Sequence, residues 1–455
     1  MRSTLLPDYA ATIRYLEDLT VRPLLSREEA GLKRINALLA ALDHPERAFT
    51  TIPVAGTTGK GSTTTMAATI LREAGHRTGS FTSPHLQSYR ERIAIGGVPI
   101  DEAMWVSLLN RVLPILERME TNELPGYSSG RAAFLEVLWA MACLAFVERG
   151  VRYAVVETGL GGRLDPTSAN TAGVAAITNV SLDHVERLGY TVEAIALEKA
   201  GLIKHGQHVV SAASQSAMRV IRASCERQDA TLWEVGDSGA IQIRPQGDDP
   251  EAMISILTPL RLHSDLRLGL KGAHQRLNAA CAVGAIDALV TRTGVQVPPV
   301  AVAAGLAASR FHGRLEAIGE RPQVLLDGAH NAAGAAALAA ALRTLYAGRR
   351  IVLLLGILGD KDLKAIAGQL APLAAAIVVS EPPWKSRAGF AAAVATEAKA
   401  YCSRVEEQDD PAAALQRARE LIANDDDLIV VAGSLYLVGA IRDLLDPTAL
   451  EANNW

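Results

Sequence analysis

The sequence predicts an α/β fold with two domains, each built on a mostly parallel sheet flanked by helices. Short apolar runs of strand length alternate with alanine-rich segments of helical periodicity along most of the chain. At 455 residues the chain exceeds one ordinary domain, and a composition that is 49% hydrophobic but only 4% aromatic favours helices packed on sheets. A hinge predicted near residues 309–313 separates a first domain, residues 1–309, from a smaller Rossmann-like domain, residues 310–455.

A glycine-rich loop, VAGTTGKGST at residues 54–63, lies between a predicted strand, residues 51–55, and a predicted helix, residues 64–74. Such a loop presents backbone N–H groups to phosphate oxygens at a helix N-terminus, where partial positive charge favours anions. Lys60 would reach the β- and γ-phosphates, although Gly61 intervenes before the hydroxyl residue of the usual G-K-[ST] order. The loop therefore predicts a P-loop type phosphate site, and its members are Gly56, Thr57, Thr58, Gly59, Lys60, Gly61 and Ser62.

Three residues with oxygen or nitrogen donors, Ser83, Glu157 and His184, each follow a short apolar run of the first domain. The carboxyl ends of parallel strands meet at one edge of a sheet, and phosphate-bound Mg²⁺ needs few protein ligands. Taken singly, Glu157 is equally an exposed strand-end acid, Ser83 a helix cap and His184 a structural histidine. Together the three form a candidate Mg²⁺ site beside the glycine-rich loop.

The region of residues 207–270 changes character, because short alternating runs are separated by glycine, aspartate and proline. This pattern predicts an antiparallel or peripheral β insertion in the first domain. Helical periodicity returns over residues 273–293. Beyond the hinge, apolar runs separated by alanine-rich helices predict the second sheet, and these runs are residues 324–326, 351–355, 376–379 and 428–431.

Several charged residues outside the glycine-rich loop have two interpretations. Lys199 lies in a helix that Thr191 is predicted to cap, where a lysine is normally a surface cation. Arg314 follows the hinge, and the loop at residues 327–331 ends a strand and opens a helix. These loop-borne charges could contact a triphosphate from the side opposite the first domain, or Asp327 or Asn331 could simply cap the helix.

The composition argues against several classes of partner. With a net charge of −4, nothing in the composition indicates a nucleic-acid surface. We expect the partner to be a small anionic molecule that is bound by a few local cations. The four cysteines are widely spaced without a C-x-x-C pair, which argues against zinc and disulfide frameworks and favours a reducing cytoplasm. The sequence shows neither a signal-peptide pattern nor an apolar stretch of membrane-spanning length. We therefore expect a cytoplasmic monomer without nucleic-acid or membrane partners.

Five sequence blocks occur in order along nearly the whole chain. They are residues 55–62, residues 81–86 with 90–92, residues 157–165, residues 182–184 with 198–201, and residues 313–316 with 326–331. In these blocks and in the tail at residues 433–439, the chain resembles the folylpolyglutamate synthase/dihydrofolate synthase family, which belongs to the Mur-type ATP-dependent amide ligases. One block alone would be weak evidence, whereas the ordered set is specific.

The resemblance implies roles that the residues alone leave open. Lys60 and its loop would bind the ATP phosphates, while Ser83, Glu157 and His184 would hold Mg²⁺. Lys199 matches a lysine that is carbamylated in this family. The modification would replace the positive charge of the ammonium with a negatively charged carbamate that can interact with a metal ion. Lys60, Lys199 and His184 are therefore the expected catalytic residues. The residues expected to address ATP from around the domain interface are Asn278, Arg314, Asp327 and His330.

The reaction that the resemblance implies joins a folate-type acid to L-glutamate. The carboxylate of the acceptor, dihydropteroate or tetrahydrofolate or both, attacks the γ-phosphate of ATP and gives an acyl phosphate and ADP. The amine of L-glutamate then displaces phosphate, so that no protein nucleophile is required and catalysis rests on positioning and charge stabilisation. Arg90 and Asp165 are expected to contact the substrate, with Asp165 near the pterin.

Departures from the family pattern keep an alternative acceptor open. Ala133 and Leu135 stand where the family has the threonine and phenylalanine that line the pterin pocket, and Thr58 replaces an asparagine of the loop. The same ligase chemistry on a non-folate carboxylic acid is the alternative. A P-loop kinase or regulatory NTPase would transfer phosphate to an alcohol or water and form no amide. A Rossmann oxidoreductase is disfavoured, because residues 159–162 lack the G-x-G-x-x-G spacing.

Overall fold

The first sheet of the molecule has eight strands and confirms the predicted α/β class. The computed structural model describes residues 5–21, 30–125, 127–128, 130–170, 172–247, 251, 253–319, 322–383 and 391–447. The strand order is β4-β3-β2-β5-β1-β6-β7-β8, and all neighbours pair in parallel except β2–β3 and β3–β4. The strands are β1 Thr50–Ala55, β2 Thr78–Phe81, β3 Ile93–Ile95, β4 Val98–Pro99, β5 Tyr153–Glu157, β6 Val174–Ile177, β7 His208–Ser211 and β8 Thr231–Glu234.

Helices cover both faces of this sheet, which is why its central strands are apolar along their length. One core lies between the sheet and α1, α2, α4 and α5, and a second lies under α3, α9 and α10. Helix α5 is apolar on almost every side because it is buried between the sheet and other helices. These helices are α1 Tyr9–Val21, α2 Ala30–Ala41, α3 Lys60–Glu73, α4 Glu102–Glu120, α5 Phe134–Glu148, α6 Val185–Leu188, α7 Val192–Ala200, α8 Gln215–Arg227, α9 His274–Thr293 and α10 Pro299–Ala308.

The β insertion predicted for residues 207–270 is wrong in its first part. Strands β7 and β8 extend the parallel sheet, and α8 connects them as an ordinary crossover helix. Met218, Ile221 and Cys225 of α8 are buried at helical spacing, a signal that the glycine and proline residues further along obscure. Only the second part is antiparallel, in a three-stranded sheet of β9 Gln242–Pro245, β10 Ile254–Leu257 and β11 Leu262–Leu266.

The third sheet contains the four strands predicted beyond the hinge, together with two further edge strands. Its order is β12-β13-β17-β14-β15-β16, with β12 antiparallel to its neighbour and the others parallel. The division of domains between residues 309 and 310 falls between α10 and β12 and stays a prediction. The strands are β12 Glu316–Ile318, β13 Gln323–Leu326, β14 Ile351–Leu355, β15 Ala376–Val379, β16 Val405–Glu407 and β17 Leu428–Ala432. The helices are α11 Ala332–Leu345, α12 Leu363–Leu370, α13 Ala391–Ala398, α14 Pro411–Glu420 and α15 Leu435–Leu445.

The helix starts near the predicted site differ in part from the sequence-based expectation. Helix α3 begins at Lys60, four residues before its predicted start, and Gly59 at its N-cap has a φ of 84° that favours glycine. Thr191 caps α7 as predicted, and Asn331 caps α11 through the N–H of Gly334. Ser26 precedes Glu28 and Glu29 in the sequence, which predicts a helix cap, but it lies outside the described residues.

The strand order explains how distant sequence segments meet. Strands β2, β5, β1 and β6 are neighbours, and their carboxyl ends lead in turn to Ser83, Glu157, the glycine-rich loop and His184. In a parallel sheet these ends lie at the same edge, where such folds bind their ligands.

Candidate active site

A cleft of about 270 Å³ lies at this sheet edge, and loops of the third sheet line its opposite side. It brings together residues from both halves of the chain that the sequence predicts for the site. Arg90 and Asp165 are outside its described lining. The predicted residues that line the cleft are Gly56, Thr57, Thr58, Gly59, Lys60, Gly61, Ser62, Ser83, Glu157, His184, Lys199, Asn278, Arg314, Asp327 and His330.

The glycine-rich loop is held in shape by the end of β6. Asn179 accepts hydrogen bonds from the backbone N–H of Thr57 at 2.8 Å and, through its side chain, from that of Thr58 at 2.8 Å. The Thr178 hydroxyl donates to the Thr58 carbonyl at 2.7 Å. These bonds fix the first part of the loop, so that the N-terminus of α3 faces the cleft as a preformed anion site.

Glu157 is the central carboxylate of the cleft, and its side chain is buried. Its Oε2 accepts a hydrogen bond from the Ser83 N–H at 3.0 Å, and its Oε1 lies 4.0 Å from Lys60 Nζ. Burial raises the pKa of Glu157, whereas the Lys60 charge and the Ser83 hydrogen bond lower it in part. A buried carboxylate gains from a cation that restores the interactions lost with water.

The donors at this edge fit a Mg²⁺ ion that also binds phosphates. Glu157 offers a carboxylate, Ser83 a hydroxyl and His184 an imidazole, and Mg²⁺ takes one or two carboxylates with substrate phosphates and water. Among the described residues, no group of three His, Cys, Asp or Glu side chains is arranged to hold a metal ion. Phosphate oxygens would therefore have to complete the coordination.

His184 follows β6 on a backbone that is unusual for a residue with a side chain. Its φ is 49°, in the left-handed region, and it forms the N-cap of the short helix α6. Burial lowers the pKa of His184, which favours the neutral imidazole that binds metals. Its neighbour Asp183 accepts a hydrogen bond from Asn331 Nδ2 at 2.8 Å and lies 3.5 Å from Lys361 Nζ. This strand end therefore contacts the loops that precede α11 and α12.

Lys199 is buried rather than exposed on the surface. Only 4% of the residue is accessible, and its Nζ donates to the Gly56 carbonyl at 2.6 Å. Burial, with a smaller contribution from the Lys60 charge, lowers the pKa of Lys199 to about 7. A neutral amine is the form that adds CO₂, so the position is chemically prepared for the predicted carbamylation, which stays a prediction.

The opposite side of the cleft carries a buried acid, a buried histidine and an arginine. Asp327 accepts the Ala329 N–H at 2.9 Å, and burial raises the pKa of its carboxyl while the Arg314 charge opposes this. His330 Nδ1 donates to the Gly328 carbonyl at 2.8 Å. Burial lowers the pKa of His330 to about 4, so its ring is neutral and its Nε2 is an acceptor.

The two predicted substrate residues are tied to other parts of the fold. Asp165 is buried, and it accepts hydrogen bonds from Leu160 N–H at 2.9 Å and from the Thr167 hydroxyl at 2.6 Å, which fixes the turn at residues 159–163. Arg90 donates to the Ile100 carbonyl at 3.4 Å. Their roles towards a substrate stay predictions.

Comparison with known proteins agrees with this geometry. Residues 121–286 match the Mur ligase middle domain, and residues 313–435 match the Mur ligase, glutamate ligase domain. The chain is 34% identical to a dihydrofolate synthase/folylpolyglutamate synthase of Bacillus subtilis, over 91% of this chain and 95% of that protein. The Mycobacterium tuberculosis protein of the same name is also 34% identical, over 96% of this chain and 95% of that protein. The chain belongs to the dihydrofolate synthase/folylpolyglutamate synthase family.

Solved structures support the same family. A Mycobacterium tuberculosis folylpolyglutamate synthase complexed with ADP superposes with a TM-score of 0.87 and 34% identity, over 96% of this chain and 98% of that chain. An Escherichia coli FolC in complex with DHPP and ADP gives a TM-score of 0.85 at 25% identity, over 98% and 99% of the two chains. The protein is therefore an ATP-dependent acid–amino-acid ligase of the Mur type.

Some residues of this family ligase escape sequence reasoning. Asn179 and Asp183 organise the loop and the contact between the sheets, and their position after an apolar strand is the signal that could have found them. Lys361 lies far from the motifs in sequence, and only the folded chain brings it to Asp183. Phe311 lies two residues before the block at residues 313–316, and it lines a neighbouring pocket together with Gly61 and Arg314.

The depressed pKa of Lys199 predicts a pH-dependent effect on stability. Between about pH 7 and pH 10.5 the unfolded chain binds a proton at this lysine that the folded chain does not, so the free energy of unfolding rises with pH. At pH 7 the penalty is on the order of 4 kcal/mol. In bicarbonate-free buffer, we expect Lys199→Met to have a higher urea midpoint than the wild type at pH 7. The difference between the two midpoints should shrink as the pH approaches 10.5.

The exposed Lys399→Met is the matched control for this measurement, and it should shift the midpoint equally little at both pH values. If the urea midpoints of Lys199→Met and the wild type differ by the same amount at both pH values, the lowered pKa of Lys199 is contradicted.

Proposed function

We propose that this ligase forms an amide between a folate-type carboxylate and the amine of L-glutamate, with ATP and Mg²⁺. The acceptor is dihydropteroate, tetrahydrofolate or both. The observation that carries the proposal is a cleft whose lining combines Lys60 of α3 and Glu157 of β5 with three residues from the second half of the chain, Arg314, Asp327 and His330. Relatives over nearly the full length, which are named as dihydrofolate and folylpolyglutamate synthases, support the folate acceptor over a non-folate acid.

The proposed ATP site combines the N-terminus of α3 with charges from the third sheet. The loop and Lys60 bind the β- and γ-phosphates, and Asn278, Arg314, Asp327 and His330 address the nucleotide from around the interface. We assign the two sides of the cleft to two domains, residues 1–309 and 310–455. The contact of Asp183 with Asn331 and Lys361 supports a closed arrangement in which water is excluded.

The proposed reaction has two steps and needs no protein nucleophile. An oxygen of the acceptor carboxylate attacks the γ-phosphorus, the bond to the bridging oxygen breaks, and ADP leaves. The glutamate amine then attacks the acyl carbon, phosphate leaves with the former carboxylate oxygen, and the amine proton passes to solvent. Lys60 and Arg314 oppose the charge that develops on the phosphoryl oxygens. Mg²⁺, when bound by Ser83, Glu157 and His184, supplies further charge neutralisation.

The proposed acceptor site has aromatic faces despite the substitution at Leu135. Leu135 packs against the turn after β5, where its Cδ2 lies 2.5 Å from the position that a Cβ on Gly159 would take. The neighbouring Phe134 ring lies 6.1 Å from the Tyr89 ring, and the Arg92 guanidinium lies 5.3 Å from Phe134. A flat pterin ring can stack on such faces. This group supports a folate-type acceptor. Arg90 follows Tyr89 in the sequence, and Asp165 Oδ2 lies 3.3 Å from the same Cβ position on Gly159 that Leu135 approaches.

We also propose that the protein acts as a monomer in the cytoplasm, without nucleic-acid or membrane partners. The four cysteines are buried and unpaired, which suits a reducing compartment. The net charge of −4 disfavours a nucleic-acid surface. In the described part of the chain, no helix combines the length and the apolar character needed to cross a membrane.

The product of the reaction tests this function directly. We expect ADP release that requires both L-glutamate and either dihydropteroate or tetrahydrofolate, and a product whose mass equals acceptor plus glutamate minus water. Lys60→Met should abolish both signals. ADP release with a phosphorylated alcohol, or with free phosphate and no amide, would reject the ligase proposal. Turnover only with acids other than pterins would reject the folate acceptor.

The Mg²⁺ role of Glu157 predicts a shift in metal dependence. We expect Glu157→Gln to raise the Mg²⁺ concentration for half-maximal turnover by about tenfold or more, since even indirect changes at metal sites cost this much. The thermal midpoint should not fall, because the amide removes a charge that burial disfavours. Glu234→Gln, at the end of β8 in the same sheet, is the matched control and should leave the Mg²⁺ dependence unchanged. A Glu157→Gln protein that folds like the wild type and keeps the wild-type Mg²⁺ dependence would remove Glu157 from the metal site.

A further inference from the structure

Phe311, on the hinge between the two halves of the chain, connects the phosphate loop with Arg314. Its ring reaches Gly61 in the first turn of α3, where a Cβ on Gly61 would lie 2.5 Å from Phe311 Cε1 and 2.6 Å from Cζ. Real side chains do not pack that closely, so only glycine allows the ring to rest on the loop. The packing of Phe311 on the loop therefore requires glycine at position 61, independently of any contact between the loop and phosphate.

The same ring carries the guanidinium of Arg314 over its face. The Arg314 Cζ lies 5.5 Å from the centre of the Phe311 ring, within the range of a cation–π contact. Its Nη1 donates to the Gly313 carbonyl at 3.0 Å and occupies the space that a side chain on Gly328 would take. Two glycines and one aromatic ring thus confine this guanidinium at the wall of the cleft.

We propose that Phe311 is a positioning residue that sets the Arg314 guanidinium against the phosphate loop and so determines how tightly the ligase holds a nucleoside triphosphate. The inference rests on the proposed function, because it takes Arg314 as a nucleotide contact. An arginine has several rotatable bonds, and confinement in one orientation before binding lowers the entropy cost of each hydrogen bond that it then makes. Because the ring contacts both Gly61 and Arg314, it ties the position of the guanidinium to that of the loop.

The test is a double-mutant cycle read by equilibrium binding of AMPPCP, an ATP analogue whose binding does not depend on the identity of the acceptor. The four proteins are wild type, Phe311→Leu, Arg314→Met and the double variant. We expect Phe311→Leu to weaken binding by roughly 3- to 30-fold, the range that a cation–π contact gives. In the Arg314→Met background, the same change should weaken binding by less than about twofold.

Two further variants separate positioning from simple packing. Phe311→Tyr keeps the ring face and should bind AMPPCP like the wild type. Phe311→Met supplies a flexible apolar side chain without a ring and replaces Phe311→Leu if the latter does not fold. Tyr346→Leu is the matched control, because Tyr346 carries Arg349 at 5.8 Å in the third-sheet half and is outside the described cleft lining. It should lower stability and leave AMPPCP binding unchanged.

Equal weakening by Phe311→Leu in both backgrounds would show a structural role only and overturn the inference, as would no weakening at all. An Arg314→Met protein that binds AMPPCP as tightly as the wild type would also overturn it. Failure of the proposed function is distinct, since it would appear as wild-type protein that binds AMPPCP but forms no amide.

Discussion

The arrangement of the cleft depends on the buried carboxylate of Glu157 and on the partners that its charge requires. Glu157 ends the central strand β5 without access to water, so its charge needs partners, and the structure supplies the Ser83 N–H and the more distant Lys60 ammonium. A carboxylate with so few partners favours a cation at the sheet edge. The departure from the usual G-K-[ST] order has a separate cause. A side chain on the residue after the lysine would clash with the Phe311 ring, whose Cε1 lies 2.5 Å from the Cβ position, and Ser83 after β2 offers the hydroxyl.

The cleft is completed by a small number of contacts between the two halves of the chain. Asp183 reaches Asn331 and Lys361 from the strand end that also carries His184, and the pKa of Asp183 is lowered because Lys361 and its other partners outweigh burial. Closure of this kind matters for a reaction through an acyl phosphate, which water would hydrolyse. The contact of Asp183 with Asn331 and Lys361 therefore links the position of His184, a proposed metal ligand, to the second half of the chain. The site is complete only when the two halves of the chain meet.

The sequence predicts which residues meet at the cleft better than it predicts how the strands are connected. That Glu157, Ser83 and His184 line one cleft could be predicted because polar residues at the ends of apolar strands must meet at one edge of a parallel sheet, and their roles towards a metal stay predictions. The parallel pairing of β7 and β8 could not be found while glycine and proline in residues 235–260 masked the periodicity of α8. The burial of Lys199 and the contacts of Phe311 with Gly61 and Arg314 depend on tertiary packing, which no local pattern encodes. Asp165 differs from these residues, because its position in a family motif predicts contact with the substrate. In the structure its carboxylate instead accepts hydrogen bonds from Leu160 and Thr167 and so fixes the turn at residues 159–163.

The central claim is that this cleft activates a carboxylate by phosphoryl transfer from ATP, and the fate of the carboxylate oxygens tests it most directly. With an acceptor whose carboxylate carries ¹⁸O at both positions, the mechanism predicts one ¹⁸O atom in every phosphate released, and one remaining in the amide carbonyl of the product. Mass spectrometry of the phosphate and of the product measures both. Phosphate without ¹⁸O, released together with ADP, would show that the acceptor carboxylate is never phosphorylated and would contradict the proposed use of the cleft.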